Sequence, residues 1–509
     1  MRSIMQHRFS EVPSVSIPRS KFNRSHGVKT TFDAGWLVPI FVDEALPGDT
    51  FQLSMNGFAR LSTPVYPIMD NMFMETFFFA VPHRLLWSNW KKFCGERINP
   101  ADSISYTVPQ VNDINNIGNE TLADYFGIPT KIAAALSVSA LPFRAYNLIW
   151  NDWFRDENLQ NSVTVPLTDG PDAIATYSLL RRGKRHDYFT SCLPWLQRGT
   201  AVSLSLGSTA PIKTAAGVGS SITIFSVGAG LQKQQTGSPL TVSATTDTAN
   251  AMYTDLAAAT ASTVNELRQA IQVQRLLERD ARSGTRYIEI VKSHFGVTSP
   301  DARMQRPEYL GGGRTPVVVK PIARTDTSPG KLGAMGVAGF QGHGFTHSFT
   351  EHCVIIGLVN VRADLSYQDG LDKMWSRSTR YDFYWPTLAH LGEQAVLNKE
   401  IYLDATTVGN GVYNQVFGYQ ERYAEYRYKP SKVTGKFRSN DAGTLHAWHL
   451  AIDFSSTPTL DATFIQDDPP VDRVIATPTE PHFIFDSYSD LYCTRPMPVY
   501  SVPGYIDHF

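Results

Sequence analysis

Met72-Phe-Met-Glu-Thr-Phe-Phe-Phe-Ala-Val81 and Cys353-Val-Ile-Ile-Gly-Leu-Val-Asn-Val361 are apolar at nearly every position. Successive side chains of a strand point to opposite faces, so a strand wetted on one side shows a polar residue at every second position. Runs that lack this alternation read as strands covered on both faces, candidates for the centre of a sandwich. Upstream, Trp36-Leu-Val-Pro-Ile-Phe-Val42 leads through the turn signal Leu46-Pro-Gly-Asp49 into Thr50-Phe-Gln-Leu-Ser-Met55, whose period-two alternation gives an antiparallel pattern. Most of the remainder reads as short strands punctuated by Pro, Gly, Asn and Asp. No fixed-period repeat is visible, which argues against propellers and solenoids.

Toward the C-terminus, Val433 and Phe437 fall on one face of an expected strand, with Lys432, Thr434, Lys436 and Arg438 on the other. Leu445 to Phe454 reads as the next strand, the two forming a hairpin across Ser439-Asn-Asp-Ala-Gly443. Helices are few. The clearest spans Val264 to Arg282, with a capping box Thr263-x-x-Glu266, an apolar stripe through Leu267, Ala270, Ile271, Leu277 and Ala281, and Gly284 beyond its end. Shorter helices are expected over Leu85 to Phe93 and Tyr146 to Phe154. From about Gly199 to Ala261 the composition shifts to Ser, Thr, Ala, Gly and Val with almost no charge, which predicts an inserted, protruding feature with small β-structure.

The 509 residues exceed the size at which one core usually stops growing. Charged residues make up 18% and aromatics 12%, against roughly 25% charged in ordinary soluble proteins. That balance suits a subunit whose exterior is largely covered by neighbours. The net charge of −1 excludes a globally basic nucleic-acid binder, yet residues 1–31 carry Arg2, Arg8, Arg19, Lys21, Arg24 and Lys29 against Glu11 alone. Such an arm can reach a neighbour or a polyanion. Four scattered cysteines predict free thiols, and the absence of an apolar signal core or a membrane-length apolar run predicts a soluble chain that is not exported and not inserted in a membrane.

Catalytic patterns are wanting. His343, His347, Glu351 and His352 cluster closely, but Gly339, Gly342 and Gly344 oppose the helix that a zincin needs, so a turn or structural role is expected and no metal or cofactor. Gly311-Gly-Gly313 and Gly333 to Gly344 lack a phosphate-loop ending and read as flexible or tightly turned loops. Basic residues interleaved with rings, the chemistry that holds single-stranded nucleic acid, occur at Arg181-Arg-Gly-Lys-Arg-His-Asp-Tyr-Phe189 and Arg422-Tyr-Ala-Glu-Tyr-Arg-Tyr-Lys-Pro-Ser-Lys432. The candidate nucleic-acid contacts are therefore Arg2, Arg8, Arg19, Lys21, Arg24, Arg427, Tyr428, Lys429, Lys432, Lys436 and Arg438. The same segments equally suit solvated loops or subunit contacts.

Several long segments resemble the major capsid protein of microviruses, the gokushovirus branch in particular. They are Pro142-Phe-Arg-Ala-Tyr-Asn-Leu-Ile-Trp-Asn-Asp-Trp-Phe-Arg-Asp-Glu-Asn158, Arg182 to Ser191, Ser293 to Gly312, Leu391 to Glu400 and Glu421 to Lys432. The resemblance implies a mainly β chain, an eight-stranded antiparallel viral jelly roll with long loop insertions. It implies a T=1 icosahedral shell of identical subunits around circular single-stranded DNA, assembled in the bacterial cytoplasm, with a small basic internal DNA-binding protein and a DNA pilot protein as partners. The expected organisation is a basic arm over 1–31, jelly-roll parts over 32–198 and 262–509, and the variable insertion over 199–261, which would build threefold protrusions that meet a host surface receptor. The rival reading is a β-sandwich enzyme or sugar-binding protein with Gly339 to Cys353 lining a pocket.

Overall fold

The computed structural model describes residues 17–115, 117–200, 202, 212–214, 252–254, 264–324 and 332–500. Two compact units are distinguished, Met1–Leu196 with Gly284–Phe509, and Gln197–Ser283. In the first, nine strands form one antiparallel sheet: β1 (Ser20–Asn23), β2 (His26–Phe32), β3 (Val38–Ala45), β4 (Thr50–Leu61), β5 (Met72–Pro82), β6 (Glu308–Ala323), β7 (Leu332–Ser348), β8 (Cys353–Ala363) and β9 (Phe483–Arg495). Their spatial order is β1-β9-β4-β7-β6-β5-β8-β3, with β2 also paired to β9.

The sheet curls because its two longest strands change partners along their length. Glu308 to Val317 of β6 pair with β5, and Val318 to Ala323 pair with β7. In turn, β7 passes from β6 onto β4 with a bulge between Phe340 and His343. Bulges sharpen local twist and let a sheet fold over its own core. Phe345 on β7 and Phe78 on β5 then meet across the interior with ring centroids 5.6 Å apart. The result is a curled, mainly β jelly-roll fold with few short helices.

The two-sided apolar runs are β5 and β8, paired with each other along Met72 to Pro82. Met74, Phe78, Ile355 and Val359 face the interior cluster. Phe79, Val81, Val354, Ile356 and Leu358 face a second cluster built by the helix Leu141–Ile149 with Phe143, Tyr146 and Trp150. That helix continues as a π-turn over Trp150–Phe154, so the expected 146–154 helix begins earlier. The expected 85–93 helix is two single turns, His83–Leu86 and Trp90–Phe93.

Three sequence expectations are corrected. Although β3 and β4 flank the Leu46–Asp49 turn, they do not pair with each other; β3 pairs with β8, and β4 with β7 and β9, so the turn carries the chain between distant parts of the curl. The glycine-rich runs lie inside β6 and β7 rather than in loops. A Cβ on Gly312 would sit 2.0 Å from the Thr76 carbonyl oxygen, so glycine there permits close packing of backbones. Third, the hairpin expected over 432–454 is absent; its place is taken by 3-10 turns at Gly435–Phe437 and His446–Trp448. Gly435 is left-handed (φ 66°), and Phe437 spends its carbonyl on the His449 ring nitrogen, 2.7 Å away, not on a strand ladder.

Of the basic segment 1–31, Ser20–Asn23 and His26–Phe32 are strands on β9, while 1–16 lie outside the described residues. In the second unit, Ile212–Thr214 pairs antiparallel with Met252–Thr254, and a helix spans Val264–Ser283, as expected. The rest of the 199–261 insertion, apart from 199, 200 and 202, lies outside the described residues, as does Thr263 of the expected cap. Gly284 (φ 93°) follows the helix. The four cysteines are free thiols, Cys94 exposed and the others buried.

Candidate nucleic-acid interface

The 421–438 segment leaves the short strand Val416–Glu421, turns at left-handed Tyr423 (φ 63°), and pairs only two residues, Ser431–Lys432, in parallel with Ser366–Tyr367. It wraps a cavity of about 250 Å³ lined by Tyr188, Tyr367, Lys373, Trp375, Tyr428 and Arg438, among others. Three of the proposed contacts, Tyr428, Lys432 and Arg438, line this cavity, with Tyr428 48% exposed. Sequence reasoning found these cations but missed the carboxylate between them. Asp372 accepts from Lys429 at 3.0 Å and from Lys432 at 3.1 Å. Burial pushes its carboxyl up, but the Met374 amide and the two ammonium groups outweigh that and hold it at about 2.

The other cations are less committed. Arg427 pairs with Glu421. Arg438 donates to the Gln368 carbonyl at 2.9 Å and lies in the field of Asp369. Lys436 is exposed. Glu421 and Asp372 offset Arg427, Lys429 and Lys432, and Glu400 and Glu425 also line the cavity, so the cations stand beside exposed rings partly neutralised. Phosphates would compete with Asp372 for two of the lysines, and a base could stack on Tyr428.

At the other basic-aromatic motif the charges are structural. Arg181 donates to Asp468 at 2.7 Å and lies over Trp36, Arg182 pairs with Glu75 between Phe77 and Phe154, and Arg185 meets Asp364 at 2.6 Å. Lys184 donates to the Phe464 carbonyl at 2.7 Å. Neighbouring Asp467 is buried, and loss of water pushes its carboxyl up to about 7 in spite of Lys184 and three arginines.

The N-terminal candidates are spread along one edge. Arg19 reaches the Gly48 carbonyl, Lys21 lies 4.2 Å over the Tyr492 ring, and Arg24 pairs with Asp43. Arg2 and Arg8 lie outside the described residues. The structure therefore separates this group in the fold from the 427–438 group, one on the β9 edge and the other in the loops between β8 and β9.

The histidine cluster diverges. His343 bonds Thr76 at 2.9 Å and stacks on Phe340 at 4.2 Å, Glu351 receives Arg84 at 2.7 Å, and His352 meets the edge of Trp90. Among the described residues no three His, Cys, Asp or Glu side chains are grouped to hold a metal ion.

The Capsid protein (F protein) family matches residues 10–505. The chain belongs to this capsid family. Capsid protein VP1 of Bdellovibrio phage phiMH2K is 46% identical over 534 residues, covering 99% of this chain and 98% of that one. Capsid protein VP1 of Chlamydia phage 1 is also 46% identical, with 99% and 98% covered. The Spiroplasma virus 4 counterpart is 35% identical, with 98% and 97% covered. The resemblance to gokushovirus-like microvirus capsid proteins therefore extends over the whole chain, and this capsid protein is a structural component of a virion shell. Among the described residues no helix is long and apolar enough to cross a membrane.

Proposed function

We propose that this capsid protein assembles into a T=1 icosahedral shell enclosing a circular single-stranded DNA genome in the host cytoplasm, a structural role without catalysis. The observation that carries the reading is end-to-end similarity to capsid proteins of phages. The basic, ring-bearing 427–438 surface supports direct contact with DNA through Arg427, Tyr428, Lys429, Lys432, Lys436 and Arg438, with Arg2, Arg8, Arg19, Lys21 and Arg24 adding charge along the β9 edge. A small basic internal protein and a DNA pilot protein complete the particle. The organisation proposed is an arm before the sheet, a jelly roll in two sequence parts, and the 199–261 insertion as a threefold protrusion meeting a host receptor, since variable loops carry recognition on a fixed scaffold.

Electron microscopy and sedimentation of the purified chain test the shell. Uniform small particles are expected; a chain that stays monomeric under all assembly conditions overturns the reading. Binding of a labelled single-stranded oligodeoxynucleotide, measured against salt, tests the DNA contact. Replacement of Lys436 and Arg438 by Gln should weaken binding and flatten its salt slope by about 0.7 for each phosphate no longer neutralised. An unchanged slope removes these residues from the interface.

A further inference from the structure

Residues 374–385 present an unusual surface. Trp375 is 68% exposed, Tyr381 67%, Phe383 51% and Tyr384 50%, and Trp385 and Tyr426 are also exposed. Several are in contact: Tyr384 lies 5.2 Å from buried Tyr423 and 6.2 Å from Tyr426, Arg377 lies over Tyr426 and Phe383, and Arg380 lies over Trp385. At side-chain areas of 150–250 Å² each, the exposed part of these six rings comes to roughly 500–800 Å². Isolated soluble proteins seldom leave so much aromatic surface in water.

The segment is fixed before anything docks on it. Asp372 caps its first turn through the Met374 amide, and Asp382 receives the amides of Ser378 and Thr379 at 2.9 and 2.7 Å. Tyr423 donates its hydroxyl to the Phe383 carbonyl at 2.9 Å, and Arg422 donates to the Tyr381 carbonyl at 2.9 Å. Holding the rings costs little further entropy on association, which favours affinity.

We infer that this aromatic apron is a contact between copies of the chain in the shell, an inference that rests on the shell reading. Three observations select a second copy. The exposed ring area supplies more than half of the ~800 Å² per partner of a standard protein interface. Its make-up of Trp, Tyr, Phe and Arg is that of interface centres. Its charges are largely offset internally, Lys373 by Glu400 at 3.5 Å, Arg377 by Glu425 at 3.4 Å, and Arg422 by Asp382. A nucleic acid would therefore find little free positive charge on the apron, which borders the 427–438 cavity at Trp375.

The test uses the full chain with a photoreactive phenylalanine analogue at position 381, and separately the triple variant Trp375→Ser, Tyr381→Ser, Trp385→Ser. In irradiated wild-type-like particles, a cross-linked product of two chains is expected. The triple variant should keep the wild-type circular dichroism spectrum and yield fewer particles by roughly tenfold or more. Cross-links confined to one chain, to DNA or to added host glycan, no cross-link at all, or triple-variant particles at wild-type yield each overturn the inference. If the triple variant misfolds, the cross-link alone decides. A wild-type chain that forms no particles refutes the shell reading itself, whereas particles whose position 381 does not reach another copy refute only the apron.

Discussion

Arg144 grips Asp172 with two parallel hydrogen bonds, Nε to Oδ2 and Nη2 to Oδ1, both 2.8 Å. The side chains are 0% and 3% exposed. Arg144 also donates to the Leu86 and Thr168 carbonyls at 3.0 Å, and the Tyr177 hydroxyl donates to Asp172 at 2.6 Å. The pair ties the Leu141–Ile149 helix to the loop before Tyr177 beneath β5 and β8. Arg144→Leu strands a buried carboxylate and should cost about 3–5 kcal/mol. Denaturant unfolding of the unassembled subunit checks this, with Arg144→Leu/Asp172→Leu expected to lose less than Arg144→Leu alone.

Asp372 sets how much charge the 427–438 surface can offer. Asp372→Asn frees Lys429 and Lys432, so oligodeoxynucleotide binding should tighten and its salt dependence steepen. The same carboxyl is held at about 2, below its usual 3.8. Its contribution, up to ~1 kcal/mol for a partly solvated pair, is present above about pH 4 and lost as pH falls toward 2. Unfolding of the variant across that window should lack this component; an identical pH profile for wild type and variant contradicts it.

Asp467 has the opposite sign. Burial raises its carboxyl to about 7, so the protonated form is favoured in the fold. The associated stability is complete below the ordinary carboxyl range near 4 and is lost as pH rises through 7. Asp467→Asn should remove that decline, gaining up to roughly 4 kcal/mol above pH 7. Melting temperatures from pH 4 to 8 measure it, and a variant that loses stability with pH as steeply as wild type counts against the buried acid.

Gly312 packs where a Cβ would lie 2.0 Å from the Thr76 carbonyl oxygen in the partner strand. Gly312→Ala must push β5 and β6 apart, costing about 1–3 kcal/mol or more. Low soluble yield or a depressed melting temperature is expected. Gly339→Ala is the control: nothing lies within 4 Å of a Cβ there, and its strand should accept the methyl.

The centre of the fold was legible because two-sided burial is written residue by residue into β5 and β8. Pairing was not: Ala45 faces Cys353 across the ladder, and no local pattern joins positions so far apart. Gly311 to Gly313 looked like a loop because glycine usually marks one, whereas here its missing side chain admits a neighbouring backbone. The false hairpin rested on Val433 and Phe437, on the alternation from Leu445 to Phe454 and on the turn signal at Ser439 to Gly443; the first arm had too few positions to tell a strand from a turn. The cations of the candidate site were visible, but their anion was not, because Asp372 stands 57 residues before Lys429 and 60 before Lys432. The long motifs that identified the family include Arg144, buried in the scaffold, and Arg182, whose pairing with Glu75 supports the strands.

The last strand has a consequence for synthesis. β9 is the partner of β1, β2 and most of β4, all emerging from the ribosome some 420 or more residues earlier. Until Phe483–Arg495 appears, one edge of β4 and the hydrogen-bonding groups of β1 and β2 have no ladder to join, and the interior around Phe32 lacks Phe483 and Phe485. A chain halted before that point cannot close its sheet. The fold thus makes closure of its sheet conditional on translation through Arg495.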